Sequence, residues 1–124
     1  MTNLYKTARK NKINVYFGKM TACGSCAVEG NVCLQYGLPA VEEREHLAHE
    51  LGHCVTGAFY CRNASDIQRR RAERRAEKWT IKKLVPLNEL KRARGTPEEI
   101  AELFGVSVEF LAGAVRFYRE RGLW

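Results

Sequence analysis

The chain has 124 residues, 45% of them hydrophobic, which is enough for one domain with one core. No run approaches the about 18 consecutive apolar residues of a membrane-spanning helix. The opening stretch, MTNLYKTARKNKINVYF, is basic without a signal peptide's apolar centre, so cytoplasmic residence is expected. A net charge of +7 leaves nucleic acid or an acidic protein surface open as a partner.

In chain order, residues 4–10 predict a short helix and residues 13–17 alternate as a strand does. Two short runs, 27–28 and 32–35, flank Glu29-Gly30-Asn31, a hairpin signal. Five cysteines begin here: Cys23 and Cys26 form a CxxC, Cys33 follows seven further on, and Cys54 and Cys61 come later. Such a set can be a second zinc site or a redox pair. A structural zinc site needs four ligands, and no obvious fourth lies near Cys23, Cys26 and Cys33. The odd count and a cytosolic setting argue against structural disulfides. Plain thiols are the expectation, and a second metal on this cluster stays an open alternative.

Residues 41–57 lack proline and are rich in Glu, Leu and Ala, so they predict a helix. Stepped at about 100° per residue, Leu47, Leu51, Cys54, Val55 and Ala58 fall on one side. His46, His49, Glu50 and His53 fall on the other. Residues 49–53 read His-Glu-Leu-Gly-His, an HExxH pentapeptide. Helix positions i and i+4 share a face, so His49 and His53 can offer two imidazole nitrogens to one tetrahedral cation, usually zinc. Glu50 is then placed to take a proton from an activated water. All three histidines of the chain cluster on this face. His46 and His53 are seven apart, about 10 Å along the axis, so the three cannot share one metal. His46 is left to line the cleft, to support a ligand or to be solvated.

A third ligand must come from elsewhere. The metzincin extension requires Gly at 56 and His at 59, where this chain has Thr56 and Phe59. The remaining common solution is a glutamate on a following helix. Residues 65–85 predict that helix, with Ser65 or Asp66 as N-cap and Pro86 just past its end. Ala72, Ala76, Trp79, Thr80 and Leu84 form its inward stripe. Glu73 falls inside the stripe and Glu77 at its edge. A carboxylate there is costly unless it is paired or binds a metal, which makes Glu73 the third ligand. The competing reading is an ion pair between Glu73 and a nearby arginine. Glu77, one turn later, is expected to orient a ligand histidine. Arg69 steps to the inward side, to pair with Glu73 or line the cleft. Arg71, Arg74, Arg75 and Lys78 project away as a solvated face.

Residues 87–95 read as a basic connector. Thr96-Pro97-Glu98-Glu99 is a capping box with Pro at the first helical position. Two helices around Gly105, the second from about Ser107, follow in a helix-turn-helix pattern. Its apolar positions include Ile100, Ala101, Leu103, Phe104, Val106, Phe110, Leu111 and Val115. The expected organisation is a zincin-like core over residues 1–95 and a helical segment, 96–124, packed on it as one compact domain. The presumed second helix opens Val108, Glu109, Phe110, Leu111, with none of the Arg, Asn or Gln that read a DNA groove.

HELGHCVTGAFY followed by ERRAEKWTIKKLVP resembles the ImmA/IrrE family of metallopeptidases. The family's second motif, roughly E-x-x-A-x-x-(F/W)-A-x-x-L-(L/I)-x-P, falls on Glu73, Ala76, Trp79, Leu84, Val85 and Pro86, with Thr80 in place of the usual Ala. The resemblance covers roughly residues 40 to 121. It implies one zinc ion per chain on His49, His53 and Glu73, with Glu50 as the catalytic base, in an α+β minimal zincin of gluzincin type. It further implies a cytoplasmic endopeptidase of phage or mobile-element type that cleaves a helix-turn-helix repressor, without membrane association. Tyr60 is the nearest candidate to donate to the oxyanion, against a plainer role packing on Phe59. Zincin sites often place a strand edge beside the metal helix, where substrate can add as a strand. The N-terminal strands can supply it. The rival function is a DNA-binding or repressor-binding module that cuts nothing.

Overall fold

The computed structural model describes residues 2–19, 25–61 and 63–124. Its elements are α1 (Leu4–Lys10), β1 (Asn14–Gly18), β2 (Ser25–Val28), β3 (Asn31–Gln35), α2 (Ala40–Thr56), α3 (Asp66–Leu84), α4 (Leu87–Arg92), α5 (Pro97–Phe104) and α6 (Val108–Glu120). The class is α+β: a small three-stranded sheet and six helices among the described residues. The strand order is β1-β3-β2, with β2 antiparallel and β1 parallel to the central β3. The Glu29-Gly30 turn joins β2 to β3, with Gly30 at φ 80°, where glycine carries no steric penalty. Pleating sends Val32 and Leu34 fully into the core and leaves Asn31, Cys33 and Gln35 half-buried on the opposite face.

Helix α2 begins at Pro39, carries Glu42 and Glu43 in its first turn where the helix dipole favours them, and stops at Gly57 in the left-handed region, φ 66°. Leu47, Ala48 and Leu51 are its buried apolar side chains. Helix α3 starts with a reciprocal capping box between Ser65 and Gln68. It buries Ala72, Ala76, Thr80, Ile81 and Leu84, whereas Trp79 is only half-buried. Ile81 was not expected in that stripe. It borders α6 alongside Gly113 and Phe117, which widens the covered face. Val55, expected inward, is 38% exposed, and Cys54 is half-buried against the core.

The two long helices meet at small side chains. A Cβ added to Gly52 would lie 2.8 Å from the Ala76 carbonyl oxygen, so only glycine permits this approach. Beside it the buried Thr80 hydroxyl lies 2.8 Å from Ala76 O and 3.2 Å from Ala48 O, linking the two backbones.

The basic stretch after Pro86, read as a connector, holds the six-residue helix α4. Pro86 sets its start at φ −60°, and buried Leu90 anchors it to the core. Helix α5 has the predicted Thr96 cap, Ser107 proves to cap α6, and Gly105 turns between them at φ 70°. Ala101, Phe104, Val106, Leu111, Ala114, Phe117 and Tyr118 belong to the same hydrophobic cluster as Leu47, Leu51 and Leu84. Polar contacts clamp the α5–α6 turn onto α2. Arg44 Nε donates to Phe104 O, and Glu45 Oε1 accepts from both the amide and the hydroxyl of Ser107. Arg44 also donates to Thr2 O at 2.6 Å, tying down the N-terminal segment.

The buried Tyr118 hydroxyl donates to Val85 O at 2.8 Å, joining α6 to the end of α3. Tyr118→Phe should cost about 1 kcal/mol of folding stability, since a net hydrogen bond is lost while the ring still packs. A urea titration with unchanged slope and a lower midpoint is the expected result.

Candidate metal centre

Three local devices bring the functional side chains of α2 and α3 together. The helical period of α2 puts His49 and His53 on one face, with Nε2 atoms 3.2 Å apart. The left-handed Gly57 then folds the chain back, so that Ala58 N donates to His53 O and the Ala58 carbonyl returns to His53 Nδ1 at 2.6 Å. A carbonyl only accepts, so Nδ1 carries the proton and the Nε2 lone pair points into the cleft. The close α2–α3 approach at Gly52 and Ala76 brings Glu73 alongside. Its Oε2 lies 2.9 Å from His49 Nε2 and its Oε1 3.4 Å from His53 Nε2. Two imidazole nitrogens and a carboxylate crowded this closely need a cation or protons among them.

Glu73 is half-exposed on the cleft floor rather than buried in the apolar stripe. It is in contact with the two imidazoles and with Tyr60, whose hydroxyl donates to Oε1 at 3.0 Å. Tyr60 thus steadies Glu73 instead of packing on Phe59, while Phe59 stacks on the His53 ring, centroids 6.1 Å apart. The bond to Glu73 is the main reason the Tyr60 hydroxyl is harder to ionise than an ordinary phenol. Arg69 lies over the Tyr60 ring, its guanidinium carbon 6.0 Å from the centroid, on the cleft side as expected.

Glu50 is 6% exposed. Burial pushes its carboxyl above the ordinary range, and the neighbouring imidazoles of His49 and His53 act in the opposite sense. His49, Glu50 and His53 present ligand-type atoms within 4.8 Å of one another, a group able to hold a metal ion. Sequence reasoning missed one residue here, Ser25 on β2. His46 Nδ1 lies 2.9 Å from its hydroxyl oxygen, and the hydroxyl also bonds the Glu50 carboxyl. Nothing in a weak four-residue strand marks that serine, because only the sheet's placement against α2 brings it there. Glu77 is exposed and makes no hydrogen bond with His49 or His53. One turn beyond Glu73, it borders one cavity toward α6 with Arg74, Lys78 and Arg116, and another with His46, His49 and Thr80. The expected orienting role falls instead to Ala58 O for His53 and to Tyr60 for Glu73.

These groups line a cleft of about 470 Å³ with Ser25, Cys26 and Ala27 of β2 along one wall. Strand β2 is the sheet edge on that side. The basic face of α3 lies outside the cleft. Arg71, Arg74, Arg75 and Lys78 are exposed, and Arg75 donates to Thr56 O at the end of α2. Of the cysteine cluster, Cys23 lies outside the described residues, while Cys26 and Cys33 face each other across β2 and β3.

A helix carrying HExxH, a second helix presenting a glutamate to it and a strand edge beside both define a minimal zincin-like metallopeptidase domain. The family model described as the IrrE N-terminal-like domain, of the M78 peptidases, matches residues 10–116, and the chain belongs to this metallopeptidase family. The match begins well before the two motifs and takes in the whole sheet, so the sequence resemblance from about residue 40 understated its extent. No curated protein and no solved structure matches the chain. No described helix is long and apolar enough to cross a membrane.

Proposed function

We propose that the chain is a zinc-dependent endopeptidase that binds one zinc ion through His49, His53 and Glu73, uses Glu50 as general base and acid, and cuts a helix-turn-helix repressor in the cytoplasm. The observation that carries this is the convergence of three ligand side chains: the two Nε2 atoms lie 3.2 Å apart, with Glu73 Oε2 2.9 Å from that of His49 and Glu73 Oε1 3.4 Å from that of His53. Tetrahedral zinc with bonds of about 2.0–2.1 Å has ligand–ligand edges near 3.3 Å, so the donor set fits. The His53 tautomer fits as well, with Nε2 left as a lone-pair donor.

Bound zinc supplies Lewis acidity to an attacking water and to the scissile carbonyl. The rest falls to the chain. Glu50 takes the proton of the attacking water and returns it to the leaving amine. Its burial favours the protonated form that the second step requires. Ser25, itself bonded to His46, holds the Glu50 carboxyl from the strand side. Tyr60 fixes Glu73, and Phe59 walls the His53 ring. β2, the sheet edge among the described residues, can pair with an extended substrate segment, so specificity rests on backbone hydrogen bonds plus side-chain fit.

The repressor as substrate is an inference from the family resemblance alone. The DNA-binding alternative is weakened by the clamp at the start of α6. Groove-reading helices present their first turn freely, whereas here Ser107 is bonded to Glu45 of α2.

The test is metal content. Wild-type protein purified without chelators should carry one zinc per chain. Glu73→Ala should lose more than the roughly 10–100-fold in affinity typical of residues that merely orient ligands. Two zincs per chain would assign a second metal to the cysteines, and none after zinc is added back would end the peptidase reading.

A further inference from the structure

The strand register pairs two thiols across the sheet, one of them, Cys26, on the strand that walls the cleft. Cys26 of the edge strand β2 stands directly opposite Cys33 of β3. Directly paired residues share a sheet face. Val32 and Leu34 point into the core, so Cys33 and its partner Cys26 lie on the outer face, where Cys26 is exposed and Cys33 half-buried. Opposed residues of an antiparallel pair have Cα atoms about 4.5 or 5.5 Å apart, and both values lie within the span a disulfide bridges. Cβ atoms so opposed are about 4.5–5.5 Å apart, at or beyond the upper end of what the bond prefers. Closing the bond therefore draws β2 toward β3 under strain, and strained, exposed disulfides are the easily reduced, regulatory ones. Cys54 is a poor competitor: it is half-buried against the β2–β3 turn, and burial pushes its thiol up.

From this register we propose that Cys26 and Cys33 form a reversible cross-strand disulfide, made by peroxide and broken by thiols, that weakens substrate binding at the edge of the cleft. One thiolate attacks hydrogen peroxide, giving a sulfenic acid and water. The second thiol displaces water from that sulfur, so two thiols and one peroxide yield the disulfide and two waters. Sulfur is oxidised and peroxide oxygen reduced, with no metal involved. The effect on catalysis rests on the peptidase reading above, since the moved strand is the one that lines the cleft with Ser25 and Ala27.

The experiment treats the zinc-loaded protein with hydrogen peroxide and maps crosslinks in non-reduced digests by mass spectrometry. The expected result is a Cys26–Cys33 linked peptide, loss of two titratable thiols per chain and full reversal by dithiothreitol. Cys33→Ser should keep the basal activity and the fold but give no such link. Peptide hydrolysis by the oxidised wild type should show KM raised about fivefold with kcat little changed, the size of one lost strand–substrate hydrogen bond. A link between Cys23 and Cys26, a link only between molecules, or thiols that stay reduced under peroxide would overturn the assignment. A correct link with unchanged KM would overturn its regulatory role. The crosslink map is read without any activity, so it stands or falls separately from the peptidase reading.

Discussion

Glu50→Gln should abolish peptide hydrolysis while leaving one zinc per chain. Glutamine keeps the shape and the hydrogen-bonding reach of the side chain but cannot accept and return a proton. General acid–base catalysis contributes about 10²–10⁴-fold, and a loss at or above the top of that range is expected because one residue serves both steps. Glu50 also lies within reach of the two histidines, but in the proposed ligand set the third donor is Glu73, which contacts both imidazoles, so metal binding should survive. The decisive version uses the cognate repressor. If Glu50→Gln still inactivates it fully in a cleavage and DNA-release assay, the protein works by binding and the proteolytic reading fails.

Gly52→Ala should be the most damaging single-methyl change in the chain, both for stability and for the metal. In an open helix this substitution gains up to about 1 kcal/mol. Here the new methyl carbon would sit 2.8 Å from Ala76 O, 3.2 Å from Thr80 Oγ1 and 3.3 Å from Ala76 Cα. Two of those three atoms are backbone, so the overlap cannot be relieved by a rotamer change and α3 must move. Overpacking of this kind costs about 1–3 kcal/mol. At roughly 4 °C per kcal/mol for a chain of this size, a melting point lower by several degrees is expected. Because Glu73 rides on α3 less than one turn before Ala76, the same shift pulls its carboxylate off the imidazoles. Zinc affinity should therefore fall by at least about tenfold, as for disturbed ligand orientation. Gly113→Ala is the control. It lies inside α6 with nothing within 4 Å of the added carbon, and should raise the melting point. A Gly52→Ala variant that is stabilised as Gly113→Ala is, with unchanged zinc affinity, would refute the account of how the helices position the site.

The Thr80 hydroxyl belongs to the same interface. It bridges Ala76 O and Ala48 O just where the helices touch, in the place of the alanine more usual in the family motif. Its donor offsets the burial of a polar atom at 2% exposure, so the departure leaves the α2–α3 packing intact.

What the sequence determined by itself is what local periodicity encodes. His49 and His53 share a face because four residues make about one helical turn, whatever surrounds them. The boundaries of α2, α3, α5 and α6 followed from caps at Ser65, Thr96 and Ser107, glycines at 57 and 105, and Pro86, all of which act within a few residues. The hairpin around Gly30 was legible for the same reason. Glu73 does lie against both histidines, but the burial argument that singled it out is not met by its half-exposed side chain.

Only the tertiary structure decided the rest, because those contacts join residues far apart in sequence that carry no pattern of their own. The parallel pairing of β1 with β3, Ser25 against His46 and Glu50, and the Tyr60 hydroxyl against Glu73 depend on how whole elements pack. So does the fate of the C-terminal helices. Arg44 and Glu45 of α2 hold the turn between them, through contacts that join residues about 60 apart in sequence.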